Sequence, residues 1–454
     1  MPESPFLILK DRLEHQTISM DKYRRTGGYE GLRELLNHEA PENIKKTVLD
    51  SGLQGRGGAG FPAGKKWQLL PHDAPHPRYI VANTDEMEPG TFKDRLLLSV
   101  NPHTVIEGMI IAGYANSARK GYFFIRPSYQ EVALKFEKAL SEARNAGFLG
   151  QNILGSDFSF DITVHRSAGR YMCGEGKGLI HALEGKRPHP TIEGHLTEEG
   201  LWGQPTIVNN AETLAYVPRI VRNGAEWFRN LGKHDKAPGN KIYSVCGRVR
   251  RPGVFELPFG TPLGEIIEEH AGGMLPGYEF KACLPGGAST RYLTKDFFHV
   301  AMDFESMAKI GPGHRLGTGA LMVFDHTCCL VAITLNLIHF FARESCGWCT
   351  PCREGLPYME SLLSAIERGE GEADFPGRLQ EMCRHMRNAY CAFALGATSP
   401  VEGLMEDFEE EVKAHITRKK CPLEHDDPDQ WPLQPMRGIE DLEAGNGRHP
   451  SCPV

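Results

Sequence analysis

The feature that most constrains this chain is a run of three cysteines, Cys346, Cys349 and Cys352, followed by a distant cysteine at Cys391. A C-x2-C-x2-C loop with a remote fourth cysteine suits four thiolates that bind one cubane iron–sulfur cluster, because a short loop reaches three irons and the fourth must be reached from elsewhere. Zinc also accepts four thiolates, but zinc sites usually pair C-x2-C with a second such pair or with two histidines. A group of unligated thiols is the third alternative. The spacing favours a [4Fe–4S] cluster and therefore an electron carrier.

Length, charge and hydropathy exclude several other classes. The 454 residues allow two or three domains, and a formal net charge of −7 argues against nucleic-acid binding, which needs a basic face. Twelve cysteines are too sparse for a disulfide scaffold and no secretory signal is evident, so we expect a reducing compartment. An apolar stretch at 328–342 is too short and too polar to cross a ~30 Å hydrocarbon core. It predicts a buried helix and no direct membrane insertion.

Alternating strand and helix patterns predict an α/β fold with a Rossmann-like domain. Helical periodicity at 105–118 and 129–146 separates strand-like apolar runs at 78–82, 122–126 and 160–164, which favours parallel strands with crossover helices. A linker is predicted at 234–241, and the module after it, with a hairpin and a helix at 263–271, resembles a β-grasp. The predicted domains are a helical lead at 1–50, the α/β domain at 51–238, the β-grasp-like module at 239–326, a helical bundle with the cysteine loop at 327–420, and a disordered tail at 421–454.

A glycine-rich loop at 55–64 is the second strong signal. Gly55, Gly57 and Gly60 satisfy G-x-G-x-x-G, but a helical segment rather than a strand precedes them, so this pattern alone is weak evidence of a dinucleotide fold. A flexible turn is the alternative. The density of glycine beside Arg56 and Lys66 favours a ligand site, because bare backbone N–H groups and cations suit phosphates and let a flat ring approach the main chain.

Acidic side chains crowd the segment after the first predicted strand. Asp85, Glu86 and Glu88 lie at the carboxyl end of that strand, where α/β folds place ligand-binding groups. A solvated loop is the alternative. Two further polar segments lie later in the chain: 169–175, which leads into a predicted helix at 178–184, and 209–213.

Taken together, these segments resemble one family. The glycine loop is followed in order by N-x-D-E-x-E-P-G-T-x-K-D-R at 83–95, R-Y-x-C-G-E at 170–175, V-N-N-x-E-T-L at 208–214 and E-S-C-G-W-C-T-P-C-R-E-G at 344–355. The set looks like the NADH-oxidising flavoprotein subunit of respiratory complex I (NADH:quinone oxidoreductase), over about residues 20–420. The same core occurs in diaphorase subunits of NAD-linked hydrogenases and formate dehydrogenases. We expect the complex I type, because no ferredoxin-like or thioredoxin-like extension is fused to it.

The resemblance implies FMN and NAD(H) in one cleft and a [4Fe–4S] cluster nearby. It implies hydride transfer from NADH to FMN with no catalytic side chain, then passage of single electrons to the cluster and onward to quinone. It further implies a ubiquitin-like SLBB domain at 239–326, a thioredoxin-like [2Fe–2S] partner, a second iron–sulfur partner, and a place on the cytoplasmic side of an inner-membrane complex. Cys173 is expected to pack as a small apolar group.

The site residues implied by the resemblance fall into four sets. They are Gly55, Gly57, Gly58, Gly60, Phe61 and Lys66 for the nucleotide site; Asn83, Asp85, Tyr171, Gly174, Glu175, Asn209, Asn210 and Thr213 for FMN; Glu88 for NADH; and Cys346, Cys349, Cys352 and Cys391 for the cluster. Arg56, Ala59, Gly64 and Glu86 are further expected cofactor-binding residues.

Two departures from the family pattern lie at the expected NADH end. The family's C-G-E-E-T-A-L is replaced by a sequence with Gly176 and Lys177, which removes a carboxylate and adds a cation. We expect this change to relax discrimination against NADPH or to weaken NADH binding, because a 2′-phosphate carries close to two negative charges. The loop at 189–200 lacks the family's adenine-stacking phenylalanine; His195 is a candidate replacement, and an inert loop histidine is the alternative. The rival functions are a diaphorase subunit and a redox relay or assembly subunit with weakened NADH binding.

Overall fold

A computed structural model describes residues 7–9, 17–71, 73–192 and 194–423. These residues form two compact units. Unit 1 runs to Met87 and includes Phe92–Ile242 and Glu256–Gly260; unit 2 comprises Glu88–Thr91, Tyr243–Phe255 and the chain from Thr261 onward. Most of the predicted tail, from residue 424, lies outside the described residues.

Unit 1 contains a four-stranded parallel sheet. Its strands are β1 Tyr79–Thr84, β2 Lys120–Ile125, β3 Asp161–Arg166 and β4 Thr206–Asn210, in the spatial order β3-β2-β1-β4. In register, Val81 of β1 lies between Tyr122 of β2 and Val208 of β4. The three predicted strands and the parallel sheet are confirmed. The fourth strand was missed as a strand, because its short apolar part ends directly in the polar Asn209 and Asn210.

Helices cover the sheet of unit 1. The most buried pair, α6 and α9, approaches closely at Gly108, where an added Cβ would lie 2.0 Å from the carbonyl oxygen of Leu214. The two helices predicted at 105–118 and 129–146 are confirmed as α6 and α7. The helices are α1 Met20–Arg25, α2 Glu30–His38, α3 Pro41–Asp50, α4 Ala63–Gln68, α5 Lys93–Val100, α6 Pro102–Ala115, α7 Gln130–Asn145, α8 Gly176–Leu183, α9 Ala211–Asn223 and α10 Ala225–Arg229.

The predicted linker at 234–241 is only half correct. Residues 233–236 are exposed, but Ala237, Asn240 and Lys241 are buried in unit 1. Proline, glycine and charged residues suggested a solvated connection, whereas the Pro238 carbonyl and the Lys241 ammonium both have partners inside the unit. The second half of this segment is therefore part of the packed domain.

Unit 2 combines a second sheet with a helical bundle. The sheet order is β6-β5-β8-β7, with β5 Asn240–Gly247 parallel to β8 Ala320–Asp325 and β7 Phe280–Leu284 antiparallel to β8; β6 is Gly253–Pro258. The helix predicted at 263–271 is a short turn, α11 Leu263–Glu265, that widens into a π-helix at Ile266–His270. The remaining helices are α12 Phe304–Ile310, α13 Leu330–Glu344, α14 Thr350–Glu367, α15 Phe375–Met386, α16 Ala392–Asp407 and α17 Glu409–Arg418.

The apolar stretch at 328–342 forms α13, as predicted, with one face buried and with the cysteine loop directly after it. Across the described ranges, no single helix is long and apolar enough to span a membrane. The pair α5 and α6 passes that test by length and composition only when joined, and it bends by 95°.

Candidate functional site

A cavity of about 480 Å³ opens in unit 1 at the carboxyl ends of the parallel strands. This is the edge of an α/β sheet where ligands bind, and the volume falls in the range of small-molecule and cofactor sites. Many predicted residues meet there. The lining comprises Gly55, Gly57, Ala59, Gly60, Phe61, Lys66, Leu69, Asn83, Gly174, Gly176, His195, Leu196, Thr197, Thr206, Val208, Asn209, Asn210 and Thr213.

Fixed side-chain amides line one side of this cavity. The Asn83 amide nitrogen donates to the Gly174 carbonyl at 3.0 Å, and the Trp67 indole nitrogen donates to Asn209 Oδ1 at 2.9 Å. Because the Asn209 oxygen is occupied by the indole, its NH₂ group is the end available to donate to a ligand. Trp67 was not predicted as a site residue, because its partner Asn209 is remote in the sequence.

A buried charge network holds the second amide, Asn210. Lys93 Nζ lies 2.7 Å from Asp94 Oδ1, 2.9 Å from Glu212 Oε2 and 3.2 Å from Asn210 Oδ1. The Asn210 NH₂ group donates to Asp94 Oδ2 at 2.6 Å. Burial alone would lower the pKa of Lys93, but the neighbouring carboxylates outweigh burial and raise it, so the lysine stays charged. Both ends of the Asn210 amide, its oxygen and its NH₂ group, are thus oriented by charged groups.

Lys241 completes this network from the segment predicted as a linker. Its ammonium lies 3.7 Å from Glu212 Oε2 and is fully buried. Burial lowers the pKa of Lys241 to about 7, although Glu212 acts in the opposite direction. Sequence analysis could not find this lysine, because it is separated from its partner by nearly the whole of α9 and α10.

The glycine loop brings bare backbone to the cavity. The Arg56 amide donates to Thr213 Oγ1 at 2.8 Å, which ties the loop to the start of α9. At Gly57 an added Cβ would lie 3.0 Å from the Asn210 Cβ, closer than most real contacts, and Gly60 has a φ of +70° that favours glycine. The loop therefore needs its glycines at these two positions.

The cation that the cavity offers is Lys66 and not Arg56. The Arg56 side chain is fully buried; its guanidinium donates to the Pro238 carbonyl at 2.9 Å and stacks over the Phe259 ring with 4.2 Å to the centroid. A contact of the Arg56 charge with a phosphate stays a prediction. Lys66 lines the cavity, donates to the Val208 carbonyl at 2.9 Å, and has a pKa lowered by burial.

Three predicted acids are engaged inside the protein. Glu86 accepts from the amides of Asp94 at 2.8 Å and Arg95 at 3.1 Å, so it binds the first turn of α5. Glu175 is the N-cap of α8 and accepts from the Gly178 amide at 2.8 Å. Asp85 accepts from the Ser167 hydroxyl at 2.8 Å. These contacts give the three carboxylates structural roles; direct contact with a cofactor stays a prediction.

The other predicted residues lie as follows. Gly64 allows α4 to pack on α3, because a Cβ would lie 2.3 Å from the Leu49 Cα. Gly58 has a φ of +125°, and Tyr171 lies in a short 3₁₀ turn, Tyr171–Gly174. Glu88 belongs to unit 2, where its carboxylate accepts from the Ser289 amide at 2.7 Å.

The departures from the family pattern lie at the cavity wall. Gly176 and His195 both line the cavity, and a Cβ at Gly176 would lie 3.1 Å from Leu196 Cδ1. Lys177 instead lines a smaller neighbouring cavity of about 220 Å³, together with His181 and Lys186. The position of His195 agrees with its candidate role as a stacking ring. Cys173 is fully buried in an apolar cluster, as expected.

In unit 2 three of the four predicted cluster cysteines lie at helix starts, and Cys346 lies in the loop between α13 and α14. Cys349 precedes α14 and Cys391 precedes α16 as their N-cap residues, while Cys352 lies in the first turn of α14. The Cys352 sulfur lies 3.2 Å from the Ser345 hydroxyl. Burial first, and then the nearby thiols of Cys346, Cys391 and Cys349, raise the pKa of Cys352 to about 11. The thiols of Cys346, Cys349 and Cys391 therefore lie close enough to Cys352 to act on it electrostatically.

Four thiolates can bind either a [4Fe–4S] cluster or one zinc ion, and the two differ in how far apart the sulfurs lie. Within the described ranges, the one set of three or more such ligand atoms that all lie within 4.8 Å of one another is elsewhere in unit 2. A single tetrahedral zinc would hold its sulfurs closer than that, since Zn–S bonds measure about 2.3 Å. Four thiolates around a cubane are spread wider, because each binds a different iron.

Comparisons with known proteins match the region of the cavity to an FMN-binding domain and the region of the four cysteines to an iron–sulfur binding region. Residues 48–219 match the Nuo51 FMN-binding domain, 332–415 the NADH-ubiquinone oxidoreductase-F iron–sulfur binding region, and 242–292 the SLBB domain. The F subunit of the NADH-quinone oxidoreductase of Salmonella typhimurium is 47% identical over 419 residues, covering 91% of this chain and 94% of that protein. The corresponding F subunit of Streptomyces coelicolor is 42% identical over 420 residues, covering 92% of each protein.

A solved structure is similar as well. An NAD⁺-reducing [NiFe]-hydrogenase in the H₂-reduced state aligns with a TM-score of 0.78 and 35% identity, covering 88% of this chain and 67% of the hydrogenase chain. The amide-lined cavity, the four thiols and these relatives lead to one conclusion: the chain belongs to the family of NADH-quinone oxidoreductase F subunits.

Proposed function

We propose that this chain is the electron-input subunit of an NADH:quinone oxidoreductase. It binds FMN and NADH in the cavity of unit 1 and a [4Fe–4S] cluster on Cys346, Cys349, Cys352 and Cys391. Bound FMN accepts electrons from NADH in pairs and releases them singly, which a one-electron cluster requires. The observation that carries the proposal is the combination, in one chain, of a glycine- and amide-lined cavity and a set of four neighbouring thiols.

The cavity residues fit a flavin mononucleotide. The backbone at Gly55, Gly57 and Gly60 leaves room for a flat ring, and the Lys66 ammonium provides positive charge for a phosphate. The Asn209 NH₂ group is presented as a donor by Trp67. The protein's contribution is to orient the ligand with groups that are already held by hydrogen bonds.

Partners and location follow from family membership. We infer that electrons leave through a thioredoxin-like [2Fe–2S] subunit and a further iron–sulfur subunit, and reach quinone indirectly. We also infer attachment to the cytoplasmic side of an inner-membrane complex. The match of residues 242–292 to the SLBB domain supports a ubiquitin-like, β-grasp module at 239–326.

A diaphorase subunit is the second candidate, because the structural similarity to the NAD⁺-reducing hydrogenase is extensive. Sequence identity favours the first candidate: 47% to the Salmonella typhimurium protein against 35% to the hydrogenase chain. A redox relay without NADH oxidation is the third. Purified complexes separate the first two, because the co-purifying subunits differ.

NADH oxidation by the flavin is tested with the anaerobically purified chain. We expect about one FMN and four irons per chain, bleaching of the flavin by NADH, and reduction of ferricyanide. Asn210→Leu should lose FMN and ferricyanide reduction while it keeps iron. Asn223→Leu, at the exposed end of α9, is the matched control and should keep both. A flavin-loaded chain that neither NADH nor NADPH reduces would support the relay instead.

Nicotinamide preference is expected to depend on the departures at the cavity wall. Gly176→Glu with Lys177→Thr restores the family's carboxylate and removes a cation, so we expect a higher ratio of kcat/KM for NADH over NADPH. An unchanged ratio would show that these two positions do not set the preference.

A further inference from the structure

A second set of metal-binding side chains lies in the helical bundle of unit 2. Cys329 is the N-cap of α13, Glu367 is the last residue of α14, His415 lies in α17, and Cys421 follows the end of α17. One ligand atom from each of the four lies within 4.8 Å of all the others. Cys329, Glu367 and His415 are buried. None of the four belongs to the predicted [4Fe–4S] set.

Three distances within this set match those of a tetrahedral zinc site, and Cys421 Sγ lies within 4.8 Å of the three other atoms. With Zn–S bonds of about 2.3 Å and Zn–N or Zn–O bonds of about 2.0–2.1 Å, tetrahedral angles require separations of roughly 3.5–3.6 Å for S···N and S···O and roughly 3.3–3.4 Å for N···O. Cys329 Sγ lies 3.3 Å from His415 Nε2 and 3.6 Å from Glu367 Oε2, and His415 Nε2 lies 3.3 Å from Glu367 Oε2. The three atoms thus already have the spacing that one ion would impose.

Outer contacts orient the ligands toward a common centre. The Nδ1 atom of His415 bonds to the Glu411 carbonyl oxygen at 2.8 Å, which leaves Nε2 to face the two sulfurs and the carboxylate. Metal-binding histidines are commonly held in this way through their other nitrogen. The Ala332 amide donates to Cys329 Sγ at 3.4 Å, a contact that favours a thiolate at the start of α13.

The donor set indicates which metal fits. Two sulfurs, one imidazole and one carboxylate in a mostly buried setting suit Zn²⁺, which takes four ligands in closed structural sites. Calcium and magnesium prefer oxygen ligands and are excluded by the sulfurs. The long sequence separations, 38 residues from Cys329 to Glu367 and 86 to His415, explain why no zinc motif is visible in the sequence.

We propose that Cys329, Glu367, His415 and Cys421 bind one structural Zn²⁺ ion, separate from the iron–sulfur cluster. The ion ties the start of α13 and the end of α14 to α17 and to the segment that follows it. It has no role in electron transfer, because Zn²⁺ has no accessible redox change.

Metal analysis of the full, cofactor-loaded chain tests the proposal. We expect inductively coupled plasma mass spectrometry to find about one zinc per chain, together with the iron of the cluster. Cys421→Ala and His415→Gln should each lose the zinc and keep FMN and iron. Cys328→Ala is the matched control: it neighbours Cys329 but bonds to Asp325 instead, and should keep the zinc.

X-ray absorption at the zinc edge distinguishes the alternatives. Two sulfurs at about 2.3 Å and two lighter ligands at about 2.0–2.1 Å are expected. Zinc with four sulfur neighbours would mean that zinc had replaced iron on the other cysteines, and would overturn the proposal. So would the absence of zinc, zinc retained in both variants, or a Cys329–Cys421 disulfide found by mass spectrometry of the alkylated chain.

Discussion

Replacing Trp67 with phenylalanine isolates one hydrogen bond of the flavin cavity. The indole nitrogen donates to Asn209 Oδ1 at 2.9 Å, and Trp67 is completely buried. This bond decides which end of the Asn209 amide is presented to the cavity. Phenylalanine keeps much of the apolar packing and removes the donor, so the Asn209 oxygen loses its partner.

The size of the effect follows from the burial of the acceptor. Asn209 is 3% exposed, so water cannot easily replace the indole. A buried acceptor that loses its donor costs about 1–3 kcal/mol. In the free variant the amide can rotate to relieve that cost, whereas bound FMN requires the original orientation. The dissociation constant for FMN should therefore rise roughly 5- to 140-fold.

Fluorescence titration of the FMN-depleted chain measures this constant directly, because binding changes flavin emission. Trp202→Phe is the matched control, since Trp202 is 52% exposed and lies outside the cavity lining; its FMN affinity should equal that of the wild type. If Trp67→Phe folds normally by circular dichroism and binds FMN as tightly as the control, the argument that this indole orients Asn209 is refuted.

Three further predictions concern the buried charges and thiols. Lys93→Met should cost about 3–5 kcal/mol of stability in denaturant unfolding of unit 1, because it leaves buried carboxylates unpaired, whereas the half-exposed Lys120→Met should cost at most about 1 kcal/mol. Because the pKa of Lys241 is lowered in the folded state, this lysine is protonated in the unfolded chain but not in the folded chain between about pH 7 and 10. The free energy of unfolding should therefore rise with pH over that window, and a Lys241→Met variant should lack this rise. Cys391→Ser should lose the iron of the cluster and its visible absorbance, while Cys383→Ser, a buried cysteine outside the set, should keep both; equal iron in the two variants would contradict the assignment of Cys391.

The parts that sequence analysis predicted are those with a local pattern. Apolar runs indicated three parallel strands, and the glycine loop, Asn83, Asn209 and Asn210 were brought together because the carboxyl ends of parallel strands share one edge. The cysteine spacing indicated a cluster without any structure. In each case a short segment carries the whole signal.

The parts that it missed depend on distant partners. The sequence does not show that the Arg56 guanidinium bonds to the Pro238 carbonyl, or that the Glu86 carboxylate bonds to the start of α5. A charged residue in a loop looks the same in the sequence whether it faces a ligand or a backbone group. The network of Lys93, Glu212 and Lys241 escaped for the same reason, since ion pairs between remote segments leave no periodic trace.

The inward-facing Arg56 has a consequence for making fragments of this protein. The region matching the Nuo51 FMN-binding domain ends at 219, whereas the Arg56 guanidinium relies on the Pro238 carbonyl and the Phe259 ring. A fragment of residues 48–219 alone would lack the carbonyl and the ring that hold the Arg56 guanidinium. The glycine loop around Arg56 would then be free to change its conformation. A fragment designed to carry flavin should therefore extend through residue 260.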